Sequence, residues 1–383
     1  MSVTAPLGFR AAGVAAGIKA SGSPDVAVVV NDGPSAAAAG VFTANRVKAA
    51  PVLWSQQVLH GGSVRSVVLN SGGANACTGP AGFQDTHKTA EYLAGLLAIS
   101  AGEVAVCSTG LIGERLPLDA LLAGVDAAVA AASADGGLAA ADAIRTTDTV
   151  AKTATATGAG YLIGGMAKGA AMLSPALATM LVVLTTDADL AAAELDTALR
   201  AATATTFDRL DTDGCMSTND TVLLLASGAS GTRPDPGEFG ALLAGVCANL
   251  CEQMQQDAEG ASKAISITVT SAASEADAVE VARAIARCNL LKCAIGGEDP
   301  NWGRVLAAVG TTAAEFEPDE LAVAINGVWV CRAGAAADDR SGVDLTAREV
   351  AITVDLGAGQ QAATVRTTDL TAQYVHENSA YST

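Results

Sequence analysis

A chain of 383 residues with a net charge of −18 and a pI near 4.4 argues against nucleic acid and anionic membrane surfaces as partners. Half of its residues are hydrophobic but only 3% are aromatic, so the core must come from Ala, Val and Leu, with helices and sheets in close contact through Ala and Gly. The length calls for two lobes. The most apolar runs, such as LLAGVDAAVAAA, carry Asp and fall short of the ~20 residues of a membrane span. The N-terminal MSVTAPLGFRAAG lacks the pattern of a secretory signal, and a cytoplasmic protein is expected. Eight cysteines make no CxxC pair, and His60, His87 and His376 lie far apart, so reduced thiols and no metal are expected.

The first stretch reads mostly as β: DVAVVVND, AAGVFTA and SVVLN are β-branched, apolar runs bounded by Gly, Pro, Asn and Asp. FTANRVKAAPV adds a basic patch, Asn45, Arg46 and Lys48, expected to be structural or a pocket wall. NSGGANACTG is a small-residue loop whose backbone N–H groups are suited to approach an anion. A helix follows over about Phe83 to Ile99, with Leu93, Leu96 and Leu97 on one face. EVAVCSTGLIG then reads as a strand ending in Ser108-Thr109-Gly110. Such an end turns a hydroxyl and a backbone N–H toward one point, the hardware of an oxyanion hole.

Ala-rich helices broken at Gly136-Gly137 lead to Thr146 and Thr147, which open a strand pair reaching Ile163 with Gly158 at its turn. Gly164-Gly165 and Lys168 precede a loop punctuated by Pro175, which runs into the strand-like MLVVL. Cleavage between Ala178 and Thr179 would make Thr179 an N-terminal residue at the mouth of a strand. Its hydroxyl would then lie beside its own α-amine, whose usual pKa of ~7.7–8.0 suits a general base. Otherwise Thr179 is an ordinary strand-edge threonine.

A helix from about Leu190 to Ala202 is followed by FDRLDTDGCMSTNDT, whose order does not satisfy a calcium loop and reads as a structural loop feeding strand TVLLLA. SGASGTRPDPGEFG marks a lobe boundary near residue 232. Beyond it, an amphipathic helix from Ala241 to Gln256 ends in Asp257-Ala258-Glu259-Gly260. Carboxylates at a helix C-terminus are unfavourable unless a cation meets them, which singles out Glu259. AISITVTS (strand), EADAVEVARAIAR (helix), DPNWGR around Trp302 and a hairpin turning at Asn326-Gly327 complete the second lobe. DPNWGR is assigned to architecture and not to catalysis, and on its plainest reading Trp302 anchors the start of a helix and Arg304 pairs with Glu298 or Asp299. The chain ends HENSAYST, an end that is ordinarily frayed.

KGA-ML-P-ATML-TTDA resembles the signature of ornithine acetyltransferase, the self-cleaving N-terminal-threonine family of arginine biosynthesis, with Ser-Pro-Ala where many members have His-Pro-Asn. STGLIG, NSGGANACTG, the NDT segment, DPNWGR and the C-terminal end are similar to family segments too, in the right order along essentially the whole chain. The departures are Gly73 in the loop, Cys215-Met216 ahead of the NDT, Glu377, and Ser382.

The resemblance implies an α/β, two-lobe sandwich of mixed sheets and helices, superficially like N-terminal nucleophile hydrolases. It implies an α chain of residues 1–178 and a β chain of 179–383, assembled as α2β2. The implied reaction carries acetyl from N2-acetyl-L-ornithine to L-glutamate through an acetyl-Thr179 intermediate, with no cofactor. Thr109 and Gly110 would hold the oxyanion, while Thr146, Lys168, Glu259, Asn378 and Thr383 would bind substrate. Acetyl-CoA serves as a second donor in bifunctional members. Two rival readings remain: a related self-cleaving aminopeptidase, which would hydrolyse the acyl-enzyme, and a non-catalytic amino-acid-binding protein, which would never split.

Overall fold

The computed structural model describes residues 2–173 and 180–380. The chain divides into two compact units, Met1–Asp208 with Cys215–Asp257, and Arg209–Gly214 with Ala258–Ser382. The division falls at 257/258 and not near 232. The reason is the helix after the Gly/Pro-rich stretch, which buries Phe239, Leu243, Val246, Cys247 and Leu250 within the first unit.

The first unit contains strands β1 (Phe9–Val14), β2 (Val26–Asn31) and β3 (Ala38–Phe42), then helix α1 (Ala50–Leu59) and β4 (Ser66–Ser71). Next come α2 (Gly79–Leu97), β5 (Val104–Thr109), α3 (Leu118–Ala131) and α4 (Gly137–Ala143). The unit continues with β6 (Lys152–Gly158), β7 (Tyr161–Lys168), β8 (Leu181–Thr186), α5 (Ala192–Thr205), β9 (Thr221–Ala226) and α6 (Pro236–Gln256). One sheet has the order β1-β2-β4-β5 and the other β3-β9-β8-β7-β6.

The continuous apolar runs follow from burial on both faces of the first sheet. Ala27, Val29, Val67, Leu69, Ala105 and Cys107 point one way, against Met166, Leu181, Val183, Leu223 and Leu225 of the second sheet. Val26, Val28, Val68, Val104 and Val106 alternate the other way, under Leu93 of α2 and Leu121 and Val125 of α3. Helices α5 and α6 cover the far face of the second sheet. Gly165 permits this close approach, because a Cβ there would lie 3.1 Å from Leu250 Cδ1 and 2.9 Å from Leu184 Cδ2. The result is a helix–sheet–sheet–helix sandwich. Helix α1, with Pro51 in its first turn, was not legible in a region that reads as β.

The second unit contains β10 (Ala264–Ala272), α7 (Glu275–Ala286), α8 (Asn289–Gly296), α9 (Trp302–Val309), β11 (Ala322–Ile325) and β12 (Val328–Arg332). It ends with β13 (Ala335–Ala336), β14 (Glu349–Asp355), β15 (Gln361–Thr368) and α10 (Ala372–Ala380). Its sheet runs β13-β12-β11-β14-β10-β15. Ile265, Ile267, Val269, Val350, Ile352, Val354 and Val365 form one core with Val281 and Ile285 of α7 and Val305 and Val309 of α9. The β11–β12 turn places Asn326 and Gly327 at φ 46° and 81°, as a tight hairpin of that sequence requires. Trp302 begins α9, but Arg304 donates to the Leu290 carbonyl and not to Glu298 or Asp299. No helix among the described residues is long and apolar enough to cross a membrane.

Candidate active site

Strand β5 lies parallel to β4 in the first sheet, with Thr109 opposite Ser71. The chain then turns at Gly110, whose φ of 131° is left-handed. A Cβ there would lie 2.5 Å from Gly73 N and 2.6 Å from Gly72 C. Glycine is therefore obligatory at 110. The NSGGANACTG loop makes that crowding: Gly73 N donates to Thr109 O at 3.0 Å and Ala74 N to Leu111 O at 2.9 Å. Its small residues thus let backbone approach backbone, and these two N–H groups are engaged there rather than open to an anion. Ser108 Oγ donates to Asn70 Oδ1 at 2.6 Å, and Asn70 Nδ2 to Gly73 O at 3.0 Å.

In the second sheet, β7 runs antiparallel to β8 with Lys168 opposite Leu181. Lys168 is buried, 1% exposed, and its Nζ lies 3.3 Å from Thr109 Oγ1, itself 2% exposed. The structure thus brings Lys168 and Thr109 together, although 59 residues separate them. Ala178 and Thr179, the expected scissile pair, lie outside the described residues, as does Thr383. The chain resumes at Met180, whose N–H donates to Asp220 Oδ1 at 3.1 Å.

Thr146 donates its N–H to Asp148 Oδ2 at 3.1 Å. Asp148 Oδ1 accepts from Gly169 N at 2.7 Å and Lys152 Nζ at 2.6 Å, and Lys152 also reaches Asp257 Oδ2 at 2.5 Å. Burial alone would raise the Asp148 carboxyl. The Lys168 and Lys152 ammoniums and these hydrogen bonds outweigh it and bring the group down to about 2.

In the second unit Glu259 accepts from Asn378 Nδ2 at 2.9 Å, so two expected substrate-binding residues meet. Asn378 stands on α10. Lys263 is bound to Glu298 at 3.0 Å and to the Leu345, Thr346 and Ala347 carbonyls. Among the described residues no group of three or more His, Cys, Asp or Glu is placed to hold a metal. Asn45 caps its own turn, accepting from Val47 N at 2.9 Å and donating to Met216 O at 2.9 Å, so it serves architecture.

Sequence reasoning missed Asn219 and Asp220, taken as a loop feeding β9. Asn219 Nδ2 donates to Ala74 O at 2.6 Å and Ser108 O at 2.8 Å, so it braces the Thr109 strand end. Asp220 is fully buried, and its Oδ2 has no hydrogen-bond partner among the described residues. Burial pushes this carboxyl well above the usual range, although the Met180 N–H, the Ser217 hydroxyl and Lys168 oppose the shift. The signal was the NDT segment itself, whose Thr221 opens an interior strand and puts Asp220 one residue ahead of it.

Keeping an acid buried costs stability. In the unfolded chain Asp220 ionises near its reference pKa of about 3.9, whereas in the fold it ionises higher. Its contribution to stability is therefore complete below the unfolded value and is lost as pH rises. Asn is the closest isostere of the protonated acid. In an unsplit Thr179→Ala background, Asp220→Asn should melt higher than its parent at pH 8, and the gain should vanish toward pH 4. A melting difference that does not change with pH would contradict the protonated state.

The ArgJ family profile matches residues 10–383. The arginine biosynthesis bifunctional protein ArgJ of Thermobifida fusca is 71% identical over 383 residues, covering 100% of both chains. Its counterpart in Streptomyces avermitilis is 68% identical over 382 residues, again with 100% of each covered. A solved ornithine acetyltransferase from Mycobacterium tuberculosis, in complex with ornithine, is 60% identical. It covers 45% of this chain and 94% of its own, with a TM-score of 0.43. The family match and the two full-length relatives define an acyltransferase of arginine biosynthesis. The chain belongs to the ArgJ family.

Proposed function

We propose that this enzyme moves the acetyl group of N2-acetyl-L-ornithine to L-glutamate after cutting itself between Ala178 and Thr179. The Thr179 hydroxyl attacks the acetyl carbonyl while its α-amine accepts the hydroxyl proton. Thr109 and the Gly110 N–H receive the charge on the carbonyl oxygen. The C–N bond then breaks, the proton passes to the leaving nitrogen, and ornithine departs from an acetyl ester on Thr179. The α-amine of glutamate attacks that ester, so N-acetyl-L-glutamate leaves and the hydroxyl is restored. The observation that carries this reading is the buried Lys168–Thr109 contact beside a strand end that only glycine can continue. We read the working enzyme as a cytoplasmic α2β2 assembly of the two cleaved chains.

An assay offering acetylornithine or acetyl-CoA as donor, and glutamate or water as acceptor, tests the reaction. Glutamate-dependent formation of N-acetylglutamate from acetylornithine is expected. Acetate release that glutamate does not alter would favour a hydrolase instead. Ornithine carries a side-chain ammonium and glutamate does not, and Glu259 is assigned to that ammonium. Glu259→Gln should raise the KM for acetylornithine by about tenfold or more, the scale of a lost charge-assisted hydrogen bond, and move that for glutamate far less. Equal losses for both substrates would remove Glu259 from the side-chain end.

A further inference from the structure

Lys152 is fully buried and bonded to two carboxylates, Asp148 and Asp257, although one would neutralise it. Asp257 has other ties, since Thr149 donates to it through both its N–H and its hydroxyl. The negative charge in excess over Lys152 therefore belongs to something else nearby. Asp148 bonds to the Lys152 ammonium and also lies in the field of the Lys168 ammonium. Two further charged groups that bear on Lys168 are Asp220, at the head of β9, and Lys19, from the loop before β2. Asp220 is driven by burial toward its neutral form, and Lys19 has the same sign as Lys168. Of these three groups Asp148 is the ionised counter-charge.

Its hydrogen bonds point the same way. Oδ2 takes the N–H of Thr146, and Oδ1 takes the N–H of Gly169, the residue that follows Lys168. One side chain thus fastens two segments that the acyl-transfer reading places at the substrate, the turn before β6 and the end of β7. We infer that Asp148 is a positioning residue for this site: its carboxylate locks the Thr146 turn to the Lys168–Gly169 strand end and so holds the Lys168 ammonium on Thr109 Oγ1. The inference rests on the acyl-transfer function above. A buried ion pair that serves only folding would make the same contacts, and the two roles differ in what happens to Lys168 when Asp148 loses its charge.

Removing a neighbouring negative charge makes an ammonium easier to deprotonate. In Asp148→Asn the alkaline limb of kcat/KM for acetyl transfer should therefore move at least one pH unit lower than in the parent. The acidic limb, which belongs to the α-amine of Thr179, should stay within a few tenths of a unit. Arginine does not titrate in this range, so Lys168→Arg added to Asp148→Asn should abolish the lowered limb and leave no fall in rate at or below the parent's alkaline position. If Asp148→Asn folds poorly, Asp148→Asn with Lys152→Met removes one buried charge of each sign, and its limb should move in the same direction but less far, because loss of the Lys152 ammonium offsets part of the shift. A drop in kcat/KM that is uniform across pH, with the limb unmoved, would reduce Asp148 to a folding element and overturn the inference. A parent enzyme that makes no N-acetylglutamate from acetylornithine would overturn the functional reading itself, and this inference with it.

Discussion

Thr179→Ala should leave the protein as a single 37.8 kDa chain and lower acetyl transfer by about 10⁶-fold, the scale on which removal of a catalytic hydroxyl nucleophile acts. The unaltered protein should separate into two bands on a denaturing gel, and N-terminal sequencing of the second should begin Thr-Met-Leu. The reasoning is chemical. A threonine inside a peptide has no amine of its own, so its hydroxyl lacks the adjacent base that the reaction needs. In the sequence that amine would stand two residues ahead of β8. Lys168 stands opposite Leu181, and the Met180 amide is held by a fully buried carboxyl. Thr179→Ser keeps a hydroxyl and should still split. Full activity in an unsplit wild-type chain would end the mechanism.

Much of the scaffold was legible because its signals are local. The β2, β4, β5, β8 and β9 runs are apolar and β-branched, and both faces of their sheets are buried, so no alternation was needed to see them. The hairpin at Asn326-Gly327 and the β6–β7 turn are spelled by their turn residues. Helices α1 and α8 were missed for the opposite reason. Each is short, and α1 opens on a proline after a β-rich stretch, so neither shows a long apolar period. The boundary near residue 232 followed the Gly/Pro content of a loop, but compactness follows the burial of α6.

For the site, Thr109, Gly110, Lys168 and Glu259 were visible as residue types in telling positions, while their partners were not. Asp148 looks like the end of a Thr-Thr-Asp turn, and Asp220 like a loop acid. Only the three-dimensional chain shows one clasping Gly169 and Lys152, and the other clasping Met180. Buried charge networks join residues far apart in sequence, and their spacing carries no pattern that a linear reading detects.

Thr109→Ala should lower kcat by about 10²–10³-fold while leaving KM for both substrates within a few-fold. That corresponds to the ~2.7–4 kcal/mol measured for single oxyanion donors elsewhere. A donor that meets charge only in the transition state adds little to ground-state binding, so its loss appears in kcat. Thr109 is suited to this because it is 2% exposed and fixed at the end of a buried strand, where the low local dielectric strengthens a hydrogen bond. Its hydroxyl also receives the Lys168 ammonium at 3.3 Å, which orients its own proton away from the lysine. Thr109→Ser retains the hydroxyl and should recover most of the rate. Gly110→Ala is the sharper companion test. Its new Cβ would meet Gly73 N at 2.5 Å, so the strand end must shift and the oxyanion donors with it. It should therefore lose kcat at least as steeply as Thr109→Ala, although it removes no hydroxyl. An unchanged kcat in Thr109→Ala would make this strand end an ordinary turn, and a Gly110→Ala enzyme of normal rate would show that the crowding at Gly73 is tolerated.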